Sequence, residues 1–397
     1  MRFDKLLFDR FVSDWSNLVH ADVLSMIAIK AQTVLPSLDE IDLGKRQRVK
    51  LGIDPTGADI HIGHLAPLFI LDIFARTGHH VDFVIGDYTT KIGDPSGRVA
   101  ERKILTDADI AKNYKTYKNQ VGRFFDVTRW NTRKNSEWLK KVTLAQIISI
   151  TQQRNMASVM QREDFRKRME SGGLTQAETL YGVLQGLDSV ALGTTIELGG
   201  IDQLLNLQQA REIQRIHGQS PEIIICNPLL LGTDGRKMSK SYENYVAVSE
   251  SAENKFGKLM SVSDAVLEQY WTTFAYLFES ELSSLREFIK SQPMEAKKQL
   301  ATYLVAIEAK CLGAGERERA RFEEKFSKKQ IKDEDFQEIV VGKDTPLIDA
   351  LMQSGKFKSR GELKRLFESG AVHELGDGRF RVGKLGFYKI IEKEGRI

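Results

Sequence analysis

Between residues 46 and 245, short apolar runs alternate with helical stretches, and this alternation narrows the choice of fold more than any other feature. Arg48-Val49-Lys50-Leu51-Gly52-Ile53 reads as a strand, with Asp54-Pro55-Thr56-Gly57 as the turn after it. A helix is expected from about 62 to 76, ending before Gly78. Val81-Asp82-Phe83-Val84-Ile85, Thr195-Ile196-Glu197-Leu198 and Ile223-Ile224-Ile225-Cys226 read as further strands, the last two separated by a helix starting near Asp202. The pattern predicts an α/β fold with a doubly wound parallel sheet. Residues from about 105 to 190 read as a largely helical insertion between its two halves.

The flanks differ. Residues 1–45 look helical and amphipathic, with Leu6, Phe8, Phe11, Val12 and Trp15 at mixed i+3/i+4 spacing, and are expected to pack on the domain that follows. Residues 250–325 again read as helical. From Gly315 to Glu338 the chain carries both charge signs, and Val341-Gly342-Lys343-Asp344-Thr345-Pro346 follows. This divides the chain into a domain at 1–245, an all-α domain at 246–330, a linker at 331–344 and a small α+β domain at 345–397.

Composition excludes some function classes. Two cysteines, Cys226 and Cys311, leave no disulfide framework and no cysteine-rich zinc site, and fit a reducing compartment. No uninterrupted apolar run approaches the roughly 20 residues of a membrane span. With no signal peptide visible, a cytoplasmic location and no membrane partner are expected. The net charge of +4 permits an anionic partner without requiring one.

Two words carry the chemistry. His61-Ile62-Gly63-His64 falls where a strand hands over to a helix, the crevice in which open α/β sheets bind ligands. A helix N-terminus there suits phosphate, and Gly63 lets a flat base approach the backbone. A metal reading lacks a third ligand, so no metal site is expected. The plainer alternative is a helix start that happens to carry two histidines. Lys237-Met238-Ser239-Lys240-Ser241 follows Gly232 and Gly235, which suggest a mobile loop. Two lysines three apart on such a loop can neutralise a polyphosphate; the plainer alternative is a solvated basic loop.

Together the words resemble the class I aminoacyl-tRNA synthetases, which carry HIGH early and KMSKS late in a Rossmann-like domain. The intervening segments are similar to the tyrosyl family, in its bacterial subgroup with an intact KMSKS loop. They are Gly52-Ile53-Asp54-Pro55-Thr56, Ile92-Gly93-Asp94-Pro95-Ser96-Gly97, Asn135-Ser136-Glu137-Trp138, Tyr181-Gly182-Val183-Leu184-Gln185-Gly186-Leu187-Asp188 and Leu198-Gly199-Gly200-Ile201-Asp202-Gln203. The resemblance covers essentially the whole chain. It implies catalysis by Thr56, His61, His64, Lys237 and Lys240. It implies ATP binding by Gly52, Asp54, Gly63, Gly200, Asp202 and Met238. It implies tyrosine binding by Asp94, Asn135, Tyr181, Gln185, Asp188 and Gln203, with Asp188 accepting from the phenol hydroxyl. Spacing agrees in one respect: Tyr181, Gln185 and Asp188 recur at i, i+4 and i+7, on one helix face. Lys50 and Glu197 stand where many relatives have tyrosine and glutamine, and Lys91 is also unusual; none of the three has an assigned role.

Residues 345–397 resemble the S4-type RNA-binding module, two short helices followed by a small sheet. Lys358, Arg360, Lys364 and Arg365 are its expected RNA-binding residues, and Lys356, Arg379, Arg381 and Lys384 add positive charge. The implied function is tyrosine–tRNA ligation, with L-tyrosine, ATP accompanied by Mg²⁺ and tRNA(Tyr) as partners, in a homodimer. Three alternatives stay open: a class I synthetase for tryptophan or a tyrosine analogue, a small-molecule adenylyltransferase, and a synthetase-like RNA-binding protein.

Overall fold

Six strands form one sheet: β1 (Thr33–Leu35), β2 (Arg48–Ile53), β3 (His80–Ile85), β4 (Asn131–Lys134), β5 (Ile196–Gly200) and β6 (Ile223–Asn227). The structure, a computed structural model, describes residues 2–94, 105–160, 163–170, 173–238, 242–327, 335–342, 345–357, 359–368, 370–383 and 386–392. Lys240, Lys358, Lys384 and Pro95-Ser96-Gly97 therefore lie outside the described residues. Two compact units divide the chain, Met1–Glu316 and Arg317–Ile397.

The strand order is β1-β6-β5-β2-β3-β4. Every neighbouring pair is parallel except β1 with β6. Chain direction across the sheet reverses after β4: the chain first steps outward from β2 through β3 to β4, then returns to the other side of β2 for β5 and β6. The crevice between β2 and β5 is thus the switch point. Helix Ala66–Arg76 links β2 to β3 and buries residues all round, Leu68, Phe69, Ile70, Leu71, Ile73 and Phe74 among them, as a helix inside the molecule must.

Three expectations are corrected. The segment 1–45 is not helical throughout: after helices Phe3–Val12 and His20–Lys30 it supplies β1, an edge strand of three residues, too short to leave a period-2 signal. The Phe3–Val12 helix packs largely on the 267–309 helices rather than on the sheet domain. Phe3 stacks on Phe288 at 5.5 Å, and Arg10 pairs with Glu281 at 2.7 Å. The insertion contributes β4, whose polar Asn-Thr-Arg-Lys sequence suits an edge that needs no apolar face. Residues 252–309 are helical as expected. Buried Lys30 donates to the carbonyls of Thr272, Thr273 and Ala275, closing the end of helix Leu267–Phe274 with its three N–H groups.

The second unit holds β7 (Gln337–Val341), helices Leu347–Met352 and Arg360–Glu368, then β8 (Val372–Gly376), β9 (Arg379–Val382) and β10 (Gly386–Glu392). Sheet order is β7-β10-β9-β8, with β7 parallel to β10. Its first strand precedes the helices, an addition to the expected two helices and sheet. Ile339, Val341, Leu351, Leu363 and Val382 form its core.

Candidate active site

The C-terminal ends of β2, β3 and β5 open on a cleft of about 1290 Å³. It is lined by Gly52, Asp54, Thr56, His61, Gly63, His64, Asp94, Asn135, Tyr181, Gln185, Asp188, Gly200, Asp202, Gln203, Lys237 and Met238. These are all the described residues expected for catalysis, ATP and tyrosine. The described RNA-binding candidates lie elsewhere: Arg360, Lys364 and Arg365 are exposed on the Arg360–Glu368 helix.

At one end of the cleft, His61 precedes a turn of 3-10 helix, Ile62–Leu65, that continues into Ala66–Arg76. The His61 and His64 rings lie 3.9 Å apart. His64 Nδ1 lies 3.2 Å from the His61 backbone nitrogen and 3.3 Å from its carbonyl oxygen, so the ring is held against the backbone of the first word. A Cβ on Gly63 would stand 2.9 Å from His61 Nδ1 and 3.4 Å from Met238 Sδ, so the glycine is what lets the two words meet. Backbone bonds also tie the start of the first word to the segment after the second. Ile62 N–H donates to Val246 O at 2.9 Å and Val248 N–H to Ile60 O at 3.0 Å.

The segment leading into the second word forms a closed turn. Gly235 takes φ +82°, Gly235 N–H donates to Gly232 O at 2.9 Å, and Asn244 Nδ2 reaches Asp234 Oδ1 and Lys237 O at 2.8 and 3.1 Å. Gly232 is glycine because the Asn244 side chain fills the space of a Cβ. Lys237 acts on Asp202: burial and the nearby Asp94 raise the Asp202 pKa, and Lys237 opposes them.

At the other end, helix Tyr181–Leu192 presents Tyr181, Gln185 and Asp188 to the cleft, as their spacing predicts. The Tyr181 hydroxyl donates to Asp54 Oδ2 at 3.0 Å, and the Thr89 hydroxyl donates to Asp54 Oδ1 at 2.8 Å. Burial pushes the Asp54 carboxyl up to about 7. Trp138 Nε1 donates to Asp188 Oδ1 at 2.7 Å. Burial raises Asp188 to about 6, with Lys50 and the Trp138 bond pulling the other way. Asp94 accepts from Gln203 Nε2 at 2.6 Å and Asn206 Nδ2 at 3.2 Å.

Sequence reasoning assigned no role to Thr89, Trp138 or Asn206. Trp138 belonged to a stretch already noted, but its bond to Asp188 spans 50 residues and has no local signature. Lys91 lines the cleft and pairs with Asp107 at 2.6 Å. Lys50 is fully buried and pairs with Glu197 at 2.9 Å; the two occupy matched positions on neighbouring β2 and β5. Among the described residues no group of three or more His, Cys, Asp or Glu side chains is placed to hold a metal ion.

A family profile described as tRNA synthetases class I (W and Y) matches residues 43–321. The chain belongs to this family. Among curated relatives, this synthetase is 36% identical to the tyrosine–tRNA ligase of Thermotoga maritima, over 89% of this chain and 92% of that one. It is 37% identical to that of Shewanella oneidensis, over 89% and 93%. A solved mitochondrial tyrosyl-tRNA synthetase of Aspergillus nidulans, C-terminally truncated, superposes with TM-score 0.63 at 20% identity, covering 81% of this chain and 99% of that one. The tyrosyl-tRNA synthetase of Archaeoglobus fulgidus, solved with L-tyrosine, gives 0.61 at 20% identity over 76% and 100%. These last two likenesses concern the fold.

Proposed function

We propose that this synthetase activates L-tyrosine with ATP and transfers it to the 3′ end of tRNA(Tyr). The observation that carries the reading is a buried carboxylate, Asp188, fixed by Trp138 at the end of the same cleft that joins His61, His64 and Lys237. A phenol hydroxyl supplies the hydrogen-bond donor that an ionised, buried Asp188 needs. Phenylalanine would withdraw that donor, leaving the carboxylate with Trp138 at 2.7 Å and a long contact to Asn135 at 3.4 Å, and a site built to hydrogen-bond a hydroxyl rejects the analogue that lacks it.

In the first step the tyrosine carboxylate attacks the α-phosphate of ATP, forming the mixed anhydride and releasing pyrophosphate. In the second, a ribose hydroxyl of the terminal adenosine attacks the tyrosyl carbonyl and AMP leaves. No side chain acts as covalent nucleophile. Thr56, His61, His64, Lys237 and Lys240 position the phosphates and balance the charge that develops on them. Gly52 and Gly200 let the nucleotide approach the backbone, and Asp202 takes the ribose. A Cβ on Gly200 would lie 2.6 Å from Asp202 Oδ1, so that glycine also leaves room for the carboxylate. Mg²⁺ arrives with the ATP phosphates as part of the substrate. Asp94, Tyr181, Gln185 and Gln203 receive the amino-acid head, with Asn135 behind them.

The divisions 1–245, 246–330 and 345–397 are kept as functional ones, for catalysis, anticodon arm and S4-like RNA binding; the expected linker 331–344 instead supplies β7 to the small unit's sheet. A homodimer in the cytoplasm is part of the same reading. Leu144 and Ile148, 74% and 46% exposed on one face of helix Leu144–Gln152, are apolar surface suited to a second copy. The test of the activity is ATP–pyrophosphate exchange assayed with each amino acid in turn. Exchange driven by tyrosine alone is the expected outcome; exchange driven best by tryptophan, or none with tyrosine, would overturn the proposal.

A further inference from the structure

Behind the tyrosine end of the cleft lies a buried cluster of one cation and several carboxyls. Lys50 Nζ donates to Ser189 Oγ at 2.7 Å, pairs with Glu197 Oε1 at 2.9 Å and donates to the Gln185 carbonyl at 3.1 Å. Those three bonds use all its N–H groups, so Lys50 has no donor left for a substrate phenol. Its charge is secure. Burial works to lower the pKa, but the neighbouring carboxyls, Glu197 first, outweigh it.

Glu222, immediately before β6, is 1% exposed. Its backbone is clamped by helix Leu204–Ile216: its N–H donates to Gln214 Oε1 at 2.7 Å, and its carbonyl accepts from Arg211 Nη1 at 2.7 Å. The side chain meets the cluster. Ser189 Oγ stands 3.2 Å from Glu197 Oε2 and 3.2 Å from Glu222 Oε1. A hydroxyl has one proton to give, and this one already accepts from Lys50. It can satisfy only one of the two carboxyls, so the other bond requires a proton on a carboxyl group. Glu197 is the ionised member, because it is the carboxyl paired with the Lys50 ammonium; the Gln185 amide lies 2.9 Å from it. Glu222 does not reach Lys50. Burial, then the neighbouring Glu197, drives its pKa well above the usual carboxylate range. With Asp188 also in the cluster, two ionised glutamates would leave the buried site short of positive charge.

The ionised Glu197 also settles which way round the Gln185 amide sits. A carboxylate has only acceptors, so the amide must turn its NH₂ to Glu197. Its Oε1, which accepts from none of the described residues, is then the atom left for a donor in the cleft.

We infer that Glu222 is a positioning residue for amino-acid recognition: as a neutral acid it shares its proton with the Ser189–Glu197 pair, and the Glu197 carboxylate so held turns the Gln185 oxygen toward the substrate ammonium. The inference rests on the tyrosine reading above. Glu222 touches no substrate and acts only through Glu197 and Gln185.

The test replaces Glu222 by Met, of similar length but without a polar group, and by Gln, which keeps a donor and stays neutral. E222M should raise the KM for tyrosine roughly tenfold while the KM for ATP and kcat stay within about threefold, the pattern of weakened substrate binding. E222Q should restore the tyrosine KM. If E222M shows no cooperative melt, the truncation E222A takes its place with the same expectation. An unchanged tyrosine KM in the apolar variant, or a Gln variant as impaired as it, would overturn the inference. The two failures are separable: loss of the tyrosine reading appears as absent tyrosine-dependent exchange in the unaltered chain, whereas failure of this inference leaves that exchange intact.

Discussion

A carboxylate whose pKa is raised to about 6 is an acceptor only in part of the working pH range, and Asp188 is such a group. As the pH falls through about 6 it gains a proton and ceases to accept well from a phenol. The tyrosine KM should therefore rise on the acid side, and D188N should lose that limb. At neutral pH D188N should raise the tyrosine KM roughly tenfold or more, the loss of a hydrogen bond to a charged group worth about 1.5–3 kcal/mol. Stability moves the opposite way. The folded chain holds this proton up to about pH 6 and the unfolded chain only to about its ordinary 3.8, so stability falls as the pH rises between them. A permanently neutral amide in place of the carboxyl escapes that loss, so D188N should melt at the same temperature as its parent near pH 4 and higher at pH 8. Equal melting temperatures at both pH values, or an unaltered tyrosine pH profile, would contradict the assignment. The three helical residues of this site were legible because i, i+4, i+7 spacing is local information. Lys50 and Glu197 were legible only as departures from the tyrosine and glutamine of many relatives. Glu197 lies far along the chain from Lys50 and Glu222 further still, and no periodicity connects strands that become neighbours through crossovers.

Elements were legible where they are buried and regular. β2, β3, β5 and β6 have apolar runs because helices cover both faces of a parallel sheet. β1 and β4 escaped notice because edge strands need neither length nor an apolar face. The packing of helix Tyr181–Leu192 on helix Leu204–Ile216 was equally invisible, although it aims the tyrosine residues. Gly182 and Gly186, four apart on the first helix, let the second approach: Cβ atoms there would stand 2.2 Å from Gln209 Oε1 and 2.7 Å from Ile213 Cβ. At Gly186, beyond Ile213 Cβ and Cγ1, the added atom also meets backbone, Ala210 Cα at 3.1 Å, which cannot rotate away. G186A should destabilise the chain by about 1–3 kcal/mol through overpacking. Since Gln185 and Asp188 flank the site, it should also raise the tyrosine KM more than the ATP KM. Thermal melting and exchange kinetics check both, and an unchanged Tm would mean that the helices part at little expense.

At the scale of the whole molecule, every described residue of the ATP and tyrosine cleft lies between Lys50 and Met238, within the first unit, while the basic helix Arg360–Glu368 belongs to the second. On the proposed reading, amino-acid activation and RNA binding draw on different parts of the chain, and substitutions can separate them. Leu363 anchors the helix in its core, leaving Lys364 and Arg365 on the exposed side, while Arg360 reaches Asp349. Neutralising all three as R360Q/K364Q/R365Q removes charge without burying anything. Tyrosine-dependent pyrophosphate exchange should be unchanged. The KM for tRNA in aminoacylation should rise, and the plot of log affinity against log salt should become shallower by up to roughly 0.9 for each phosphate no longer neutralised on duplex RNA, taking the duplex-DNA value as the guide. A smaller change would mean that the basic face is mostly solvated, with RNA held elsewhere. A parallel loss of exchange would instead show that the two units are coupled in the first step, before any tRNA has bound.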